Sequence, residues 1–501
     1  MEMARLSRQV GIQIALLINR GGAVEYVIAG DATRVEIPKL NRGRTHPGRL
    51  QGLRLIHTHL NNEGLSNEDL TDLAMLRLDL IYAITVSNTG NPLLAYGAHL
   101  VPRDSLSKVW QVLEPVPTYR ITIPFDNFIK DLEEKITRSY SSQKVDIDKD
   151  RAILVAISSE LSEEPEMKLA EFKNLAKSAK IRVLDTVIQK RPKPDPKFVV
   201  GKGKLSKIVI DALSMDANLL IFNHELSPSQ ARAVSDFTDL RVIDRTQLIL
   251  DIFAQRAKTR EGKIQVELAQ LRYNMPRLVG ANPALSRLAG GIGTRGPGET
   301  KLEIDRRRAK ERISRLEHEI SRISKKRKLT RQRRNKRSTP IISIIGYTNS
   351  GKSTLLNALT KSNVLVADIP FATLDPSSKR LRFPKNINVV ITDTVGFLKE
   401  LPNELKAAFM ATLEELAEAD LLLEVIDLTD PDIKDKIQAV EGILRDLHLG
   451  TKPRIKVFNK ADKCDPSITE GLSKRYKGVV ISAINKESLP PLIERMQGFF
   501  V

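Results

Sequence analysis

GYTNSGKS, residues 346–353, decides the fold of this chain of 501 residues. It fits G-x-x-x-x-G-K-[ST], and its surroundings agree with that reading. Ile341, Ile342, Ser343, Ile344 and Ile345 before it read as a buried strand. Leu355, Leu356, Ala358 and Leu359 after it read as the start of a helix. A strand that turns through glycines into a helix N-terminus points backbone N–H groups at one spot, which suits phosphate oxygens. The candidate phosphate-binding residues are Gly346, Tyr347, Thr348, Asn349, Ser350, Gly351, Lys352, Ser353 and Thr354. Lys352 can reach the β/γ-phosphates as a catalytic group, and Ser353 can offer a hydroxyl to Mg²⁺. A chance glycine loop would not bring strand, turn and helix into agreement.

The choice of base comes from NKAD, residues 459–462, which follows the apolar strand Ile455–Phe458. The C-terminal end of such a strand is where open α/β sheets bind ligands. Asp462 can accept from guanine N1–H and its exocyclic amine, a donor pair that adenine lacks. Asn459 would tie the loop to guanine N7 and to the phosphate loop. Lys460 would lay its stem over the base beside Ala461, and Ser482-Ala483 would offer a backbone N–H to guanine O6. DTVGF, residues 393–397, follows the strand Val389–Thr392. Asp393 can hold Mg²⁺ through water, and the Gly396 N–H, flanked by Thr394 and Val395, can contact the γ-phosphate. FATLDP, residues 371–376, lies between. Its Thr373 is a second hydroxyl for Mg²⁺, with Phe371, Ala372, Leu374 and Asp375 around the nucleotide. Both loops lose contacts when the γ-phosphate leaves, which is how a switch collapses. This order of elements is that of small GTPases. Phe397 stands where a Ras-like enzyme carries the glutamine that orients water. Phenylalanine cannot polarise water, so slow intrinsic hydrolysis and a partner that completes the site are expected.

The length suggests about three domains. A hydrophobic fraction of 41% is enough for ordinary cores, and a single cysteine, Cys464, excludes a disulfide framework. That fits a reducing cytosol. The N-terminal apolar run is too short to span a bilayer, and no later segment reaches membrane length. A net charge of +19 favours an anionic partner, nucleic acid first and the membrane surface second. Residues 301–337 hold 17 Lys and Arg against 5 Asp and Glu, so most of the excess sits in one segment.

That segment belongs to a hairpin pattern. Ile264, Leu268, Leu271, Met275 and Leu278 step by four and three, and so do Ala309, Ile313, Leu316, Ile320 and Ile323. Pro276 can kink the first helix. Between the two runs lies a glycine-rich stretch with Gly290, Gly291, Gly293, Gly296 and Gly298. The economical structure is two antiparallel helices with an exposed tip. Arg287, Gly291, Arg295, Lys301, Arg306, Arg307 and Arg308 are the candidate RNA-binding residues, with arginines tracking phosphates. A solvated linker face is the bland alternative, but its charges would balance in sign.

Residues 151–255 alternate strands and helices, a parallel α/β unit in which GKGK, residues 201–204, reads equally as an anion contact or a turn. Residues 121–150 read as a linker. Residues 1–120 read as an α+β extension with five strands around one helix. There HTHLNNEGLSNED, residues 57–69, resembles the H-x-H…S-x-x-D core of MPN (JAMM) metal hydrolases. His57, His59 and Asp69 could converge on one divalent ion, Zn²⁺ by ligand type, or mark a vestige of such a site. Leu60 replaces the proline of that pattern, and the general-base glutamate it needs is not evident.

Longer stretches carry a second resemblance. ELSPSQAR (225–232), RVIDRTQLILDIFAQRAKTREGKIQVELAQL (241–271), GGIGTRGPGETKLEIDRRR (290–308) and GYTNSGKST (346–354) resemble the HflX family of translational GTPases. The resemblance implies an α/β domain at 151–255, a basic helical hairpin at 256–336 and a Ras-like P-loop G domain at 340–501. It implies GTP as substrate with Mg²⁺, and binding to the large ribosomal subunit and its rRNA with the glycine loop reaching toward the peptidyl-transferase centre. It also implies hydrolysis stimulated by ribosomes and dissociation of stalled or idle ribosomes, by a cytoplasmic protein expected to be monomeric. The hydrophobic Phe397 agrees with it. Two readings from other classes stand beside it: an ATP-driven RNA chaperone or helicase-like factor, which Asp462 argues against, and a metal hydrolase regulated by a G domain.

Overall fold

The computed structural model describes residues 1–38, 49–102, 109–121, 124–142, 150–158, 165–238, 240–280, 301–334, 339–360, 377–384, 387–393 and 416–500. It is an α/β chain of several domains, with three sheets among the described residues. By backbone contacts it divides into two units. The first is Met1–Leu161, Arg182–Ile221 and Ala233–Val242; the second is Ser162–Ile181, Phe222–Arg232 and Ile243–Val501. Among the described residues no helix is long and apolar enough to cross a membrane.

The first unit opens with α1 (Glu2–Val10), β1 (Ile14–Asn19), β2 (Val24–Ala29), β3 (Leu53–His59), α2 (Asn67–Met75), β4 (Leu80–Val86), β5 (Pro92–Leu100), β6 (Trp110–Val112), β7 (Val116–Pro117) and α3 (Phe125–Ser142). The sheet runs β2-β1-β3-β4-β5-β6, with β7 on β5. Only β3 and β4 pair in parallel among its registered pairs, and a parallel pair needs a crossover, which α2 supplies. A capping box fixes the start of α2: the Asp69 amide donates to Ser66 Oγ at 3.1 Å, and the Ser66 amide to Asp69 Oδ2 at 2.7 Å.

The stretch 121–150 is not the linker its sequence suggests, because it contains the 18-residue helix α3. Ile129, Leu132 and Ile136, at helical spacing, enter the same core as Leu17, Leu55, Leu73 and Ile81. Burial of each such side chain is worth about 1.5–3 kcal/mol. Arg20 reaches both the buried Asp79, at 2.6 Å, and Glu133 of α3, at 2.8 Å, so charge as well as packing holds the helix to the sheet. The helix α1 was also unforeseen; Gly11 ends it at φ +76°.

Next come β8 (Arg151–Ser158), α4 (Pro165–Ser178), β9 (Arg182–Lys190), α5 (Lys202–Ser214), β10 (Leu219–Phe222), α6 (Pro228–Phe237), β11 (Arg241–Asp244) and α7 (Arg245–Arg256). The sheet order is β11-β10-β8-β9, and β8 pairs with β9 in parallel. The continuous apolar run in β8 is what a strand covered on both faces needs. Asp195 and Val199 make an isolated bridge, and α5 begins at Lys202, inside the GKGK segment. Within the second unit α4 packs on α7, where Arg245 meets Glu171 at 2.9 Å.

The helices α8 (Arg260–Asn274) and α9 (Lys301–Arg334) run antiparallel: Arg260 meets Glu319 at 2.5 Å and Glu267 meets Arg312 at 2.7 Å. Their seam buries Ile264, Leu268 and Leu316, with Leu271, Ile313, Ile320 and Ile323 packed against them. Thr259 caps α8 by accepting from the Gly262 amide at 3.0 Å. Pro276 has no N–H to continue an α-helix, and the chain passes into a 3₁₀ turn, Met275–Gly280. Met275 and Leu278 therefore lie in a 3₁₀ turn and not in the α-helix that the pattern assigned them.

The third sheet lies in the second unit. Its elements are β12 (Ile341–Gly346), α10 (Lys352–Thr360), β13 (Ser377–Arg382), β14 (Asn388–Asp393), β15 (Leu421–Asp427), α11 (Ile433–Asp446), β16 (Arg454–Asn459), α12 (Pro466–Tyr476), β17 (Val479–Val480) and α13 (Pro490–Gly498). The order is β13-β14-β12-β15-β16-β17, parallel except at the edge strand β13. The C-terminal residues of β12, β14, β15 and β16 are Gly346, Asp393, Asp427 and Asn459. A doubly wound sheet binds its ligand along this edge.

Candidate nucleotide site

The phosphate loop takes its shape from three residues at positive φ: Gly346 at 146°, Asn349 at 64° and Gly351 at 89°. Two of these positions also lack room. A Cβ on Gly346 would stand 2.2 Å from the Val425 carbonyl, and one on Gly351 would stand 2.2 Å from Asn459 Nδ2. The loop delivers Lys352 to the buried N-terminus of α10, where its Nζ donates to the Tyr347 carbonyl at 2.7 Å and the Gly346 carbonyl at 3.1 Å. Burial pushes the Lys352 ammonium down to about 8, against the opposing pull of Asp393. An anion beside Lys352 would reverse that shift.

Ser353 Oγ donates to Asp393 Oδ2 at 2.6 Å, so the hydroxyl and the carboxylate expected at the magnesium site come together. Two hard oxygens suit Mg²⁺, which keeps waters and takes few protein ligands. Thr373, with Phe371, Ala372, Leu374 and Asp375, lies outside the described residues, as do Thr394, Val395, Gly396 and Phe397.

Asn459 knits the base loop to the phosphate loop. Its Nδ2 donates to the Ser350 carbonyl at 2.9 Å, and its Oδ1 accepts from the Ala483 amide at 2.9 Å. Lys460 sits at φ +66° and pairs with Asp427 at 2.6 Å. Asp462 is exposed and accepts from Ser482 Oγ at 2.5 Å, while the Ser482 amide donates to Ser488 Oγ at 2.9 Å. Two details differ from expectation. The Ala483 amide is engaged by Asn459, and Lys460 is anchored by Asp427. Sequence reading passed over Asp427; its signal was an acid at the C-terminal end of an apolar strand, directly opposite Asn459.

A second overlooked group is Glu424, fully buried in β15 beside Ile345. Among the described residues neither carboxylate oxygen has a hydrogen-bond partner, and Arg454 stands 3.8 Å off. Burial raises its pKa, against Lys456 and Arg454.

On the hairpin, Arg306, Arg307 and Arg308 are exposed in the first turns of α9, with Lys301 at its start. Arg287, Gly291 and Arg295 lie outside the described residues. Lys202 and Gly203 of the GKGK segment border a cleft with Glu68, Asp72, Trp110 and Phe198. Burial, with Asp69 and Glu68, pushes the Asp72 carboxyl up to about 7. Charges of both signs line that cleft, so it specifies no ligand.

The structure does bring His57, His59 and Asp69 together. The two Nε2 atoms lie 2.9 Å apart, and Asp69 stands 3.1 Å from His57 Nε2 and 3.5 Å from His59 Nε2. His59 Nδ1 lies 3.1 Å from the Glu63 carbonyl, so a proton there leaves Nε2 as an acceptor for His57. Hydrogen bonds then link the three side chains through the Nε2 atoms, while the buried His57 Nδ1 has no partner among the described residues. Two nitrogens on a tetrahedral zinc at ~2.0–2.1 Å would stand roughly 3.3 Å apart, wider than observed. The cluster is thus not in itself evidence of a metal.

Three known families match successive stretches of the chain. Residues 166–254 match the family described as GTP-binding GTPase N-terminal, residues 256–334 the GTP-binding GTPase middle region, and residues 341–460 the 50S ribosome-binding GTPase family. A protein of Caldanaerobacter subterraneus named GTPase HflX is 49% identical over 350 residues, 70% of this chain and 80% of its own. Its namesake in Escherichia coli K12 is 44% identical over 66% of this chain and 78% of its own. A GTP-binding protein of Sulfolobus solfataricus, solved with GDP, aligns over 70% of this chain and 98% of its own at 27% identity, with a TM-score of 0.40, too low to carry weight.

Proposed function

The chain belongs to the HflX family of GTPases, and on that premise we propose that it binds the large ribosomal subunit and uses GTP binding and hydrolysis to dissociate stalled or idle ribosomes. Hydrolysis of GTP follows from the family. Ribosome binding is supported by the 50S ribosome-binding family match and by the exposed arginines of α9. The observation that carries the nucleotide reading is the Asn459 bridge, which holds a guanine-type loop against a phosphate loop.

The proposed roles are these. Amides of residues 346–354 bind the β- and γ-phosphates, with Lys352 neutralising charge that develops between them. Ser353 and Asp393 would hold Mg²⁺, joined by Thr373, and that ion supplies charge neutralisation at the phosphates. Asp462 selects guanine, Asn459 and Lys460 fix the base loop, and Ser482-Ala483 closes over it. The stretches 371–375 and 394–396 sense the γ-phosphate, and Phe397 leaves the water to be positioned by the ribosome. The proposed layout is an extension, an α/β domain at 151–255, a hairpin at 256–336 and the G domain at 340–501.

Sedimentation with 50S subunits in a GTP analogue and in GDP tests this reading. Binding that favours the analogue, with 70S particles splitting, supports it; equal or absent binding overturns it. For the N-terminal cluster, a divalent ion in place of the shared proton is the remaining metal reading, and zinc analysis of the purified protein decides it.

A further inference from the structure

Asp244 is fully buried where β11 turns into α7, and its two oxygens divide their work. Oδ1 accepts from the Gln247 amide at 2.9 Å and so caps α7. Oδ2 accepts from three other donors: the Leu226 amide at 3.0 Å, the Arg277 guanidinium at 2.5 Å, and the Tyr273 hydroxyl. Arg277 extends the knot. Its Nη2 also donates to the Leu226 carbonyl at 3.1 Å and to the Tyr273 oxygen, and its guanidinium lies 4.3 Å from the Tyr273 ring centroid. Three separate pieces of chain meet on one oxygen: the loop after β10, the β11–α7 corner, and the end of α8 with its 3₁₀ turn.

A helix cap requires one acceptor. The second oxygen ties the far end of α8, and with it the loop after β10, to that corner. The rest of the α8/α9 pair is held by its own seam and by α7, where Gln270 donates to Asp251 at 3.2 Å. Without the knot, the far end of α8 would keep packing on one side but lose its charged anchor. A carboxylate taking four donors inside the protein is a rigid fixture, because the Leu226 amide and the Tyr273 hydroxyl would be left buried without an acceptor if it let go.

We propose that Asp244 is a positioning residue which, through Arg277 and Tyr273, sets the direction of the α8/α9 hairpin, and that stimulation of GTP hydrolysis by ribosomes depends on that direction. This inference rests on the ribosome-binding reading. It adds to that reading a group that touches neither nucleotide nor RNA.

The chemistry offers a selective variant. Asp244→Ser keeps a good N-cap for α7 and removes Oδ2. Asp244→Asn keeps the cap but turns an N–H₂ toward three donors. Both are assayed as the full-length chain for hydrolysis alone and with saturating 50S subunits. The expected result is unchanged basal rate and KM for GTP, with maximal stimulation reduced about tenfold or more, as a small misplacement of a reacting group can cost. The ratio of stimulated to basal rate is the decisive readout, because a smaller folded fraction lowers both rates alike. Adding Arg277→Gln to Asp244→Ser is expected to reduce the ratio no further. A ratio equal to wild type, or stimulated and basal rates falling together, overturns the positioning role. If wild type itself does not respond to 50S subunits, the ribosome-binding reading fails and takes this inference with it.

Discussion

The Asn459 side chain and the Ser350 carbonyl are joined at 2.9 Å across 109 residues of sequence. The same side chain holds the Ala483 amide, so one buried amide closes three loops into one cradle. Asn459→Ala strands both partners, and each buried group left unpaired costs about 1–3 kcal/mol. GTP affinity by fluorescent-analogue titration is expected to fall at least about tenfold, together with a lower Tm. Unchanged affinity would show that the two loops do not need each other.

Asp462 is exposed, and its partner is the Ser482 hydroxyl. Asp462→Asn replaces an acceptor with a group that donates, at the position meant for guanine's N1–H and exocyclic amine. Hydrogen bonds to a charged group contribute about 1.5–3 kcal/mol each. Competition binding is expected to show loss of the preference for GTP over ATP, and a variant that retains it would remove Asp462 from base selection.

Lys352 has an ammonium that burial has pushed down to about 8. At pH 8 it is therefore about half protonated in the free protein, and a bound triphosphate holds it fully charged. GTP binding at pH 8 should take up about half a proton through this residue, and at pH 6 close to none. Calorimetry in buffers of different ionisation enthalpy measures this, with Lys352→Met as the control that abolishes the difference.

Glu424 has a carboxyl whose folded pKa lies above its unfolded value because burial disfavours the charge. The folded state therefore binds more protons, and stability falls as pH rises through the unfolded value toward the folded one. Glu424→Gln removes that loss. Its Tm should exceed wild type at pH 8, with the gap closing toward pH 4.5. A gap that does not vary with pH would mean that Glu424 finds a partner.

The legible part of this protein was the part where several local signals coincided. Ile341–Ile345, the glycines and Leu355–Leu359 each argued for the same strand, turn and helix, and those elements are present. The hairpin was legible from its steps of four and three until Pro276 cut the first run short. The helix α3 was missed because Ile129, Leu132 and Ile136 are sparse among charged residues, so their helical spacing looked like linker. The His57–His59–Asp69 meeting was foreseen, but sequence does not report where a proton sits. Asp244, Tyr273 and Arg277 were beyond reach, since nothing local links residues 29 and 33 positions apart.

The seating of α3 has a practical consequence for anyone dissecting this chain. A fragment stopped at residue 120 would expose a greasy slot where Ile129, Leu132 and Ile136 belong, and would leave Arg20 facing only Asp79. Such a piece is expected to clump in the test tube. One carried through Ser142 keeps its lid and is the better candidate for isolation.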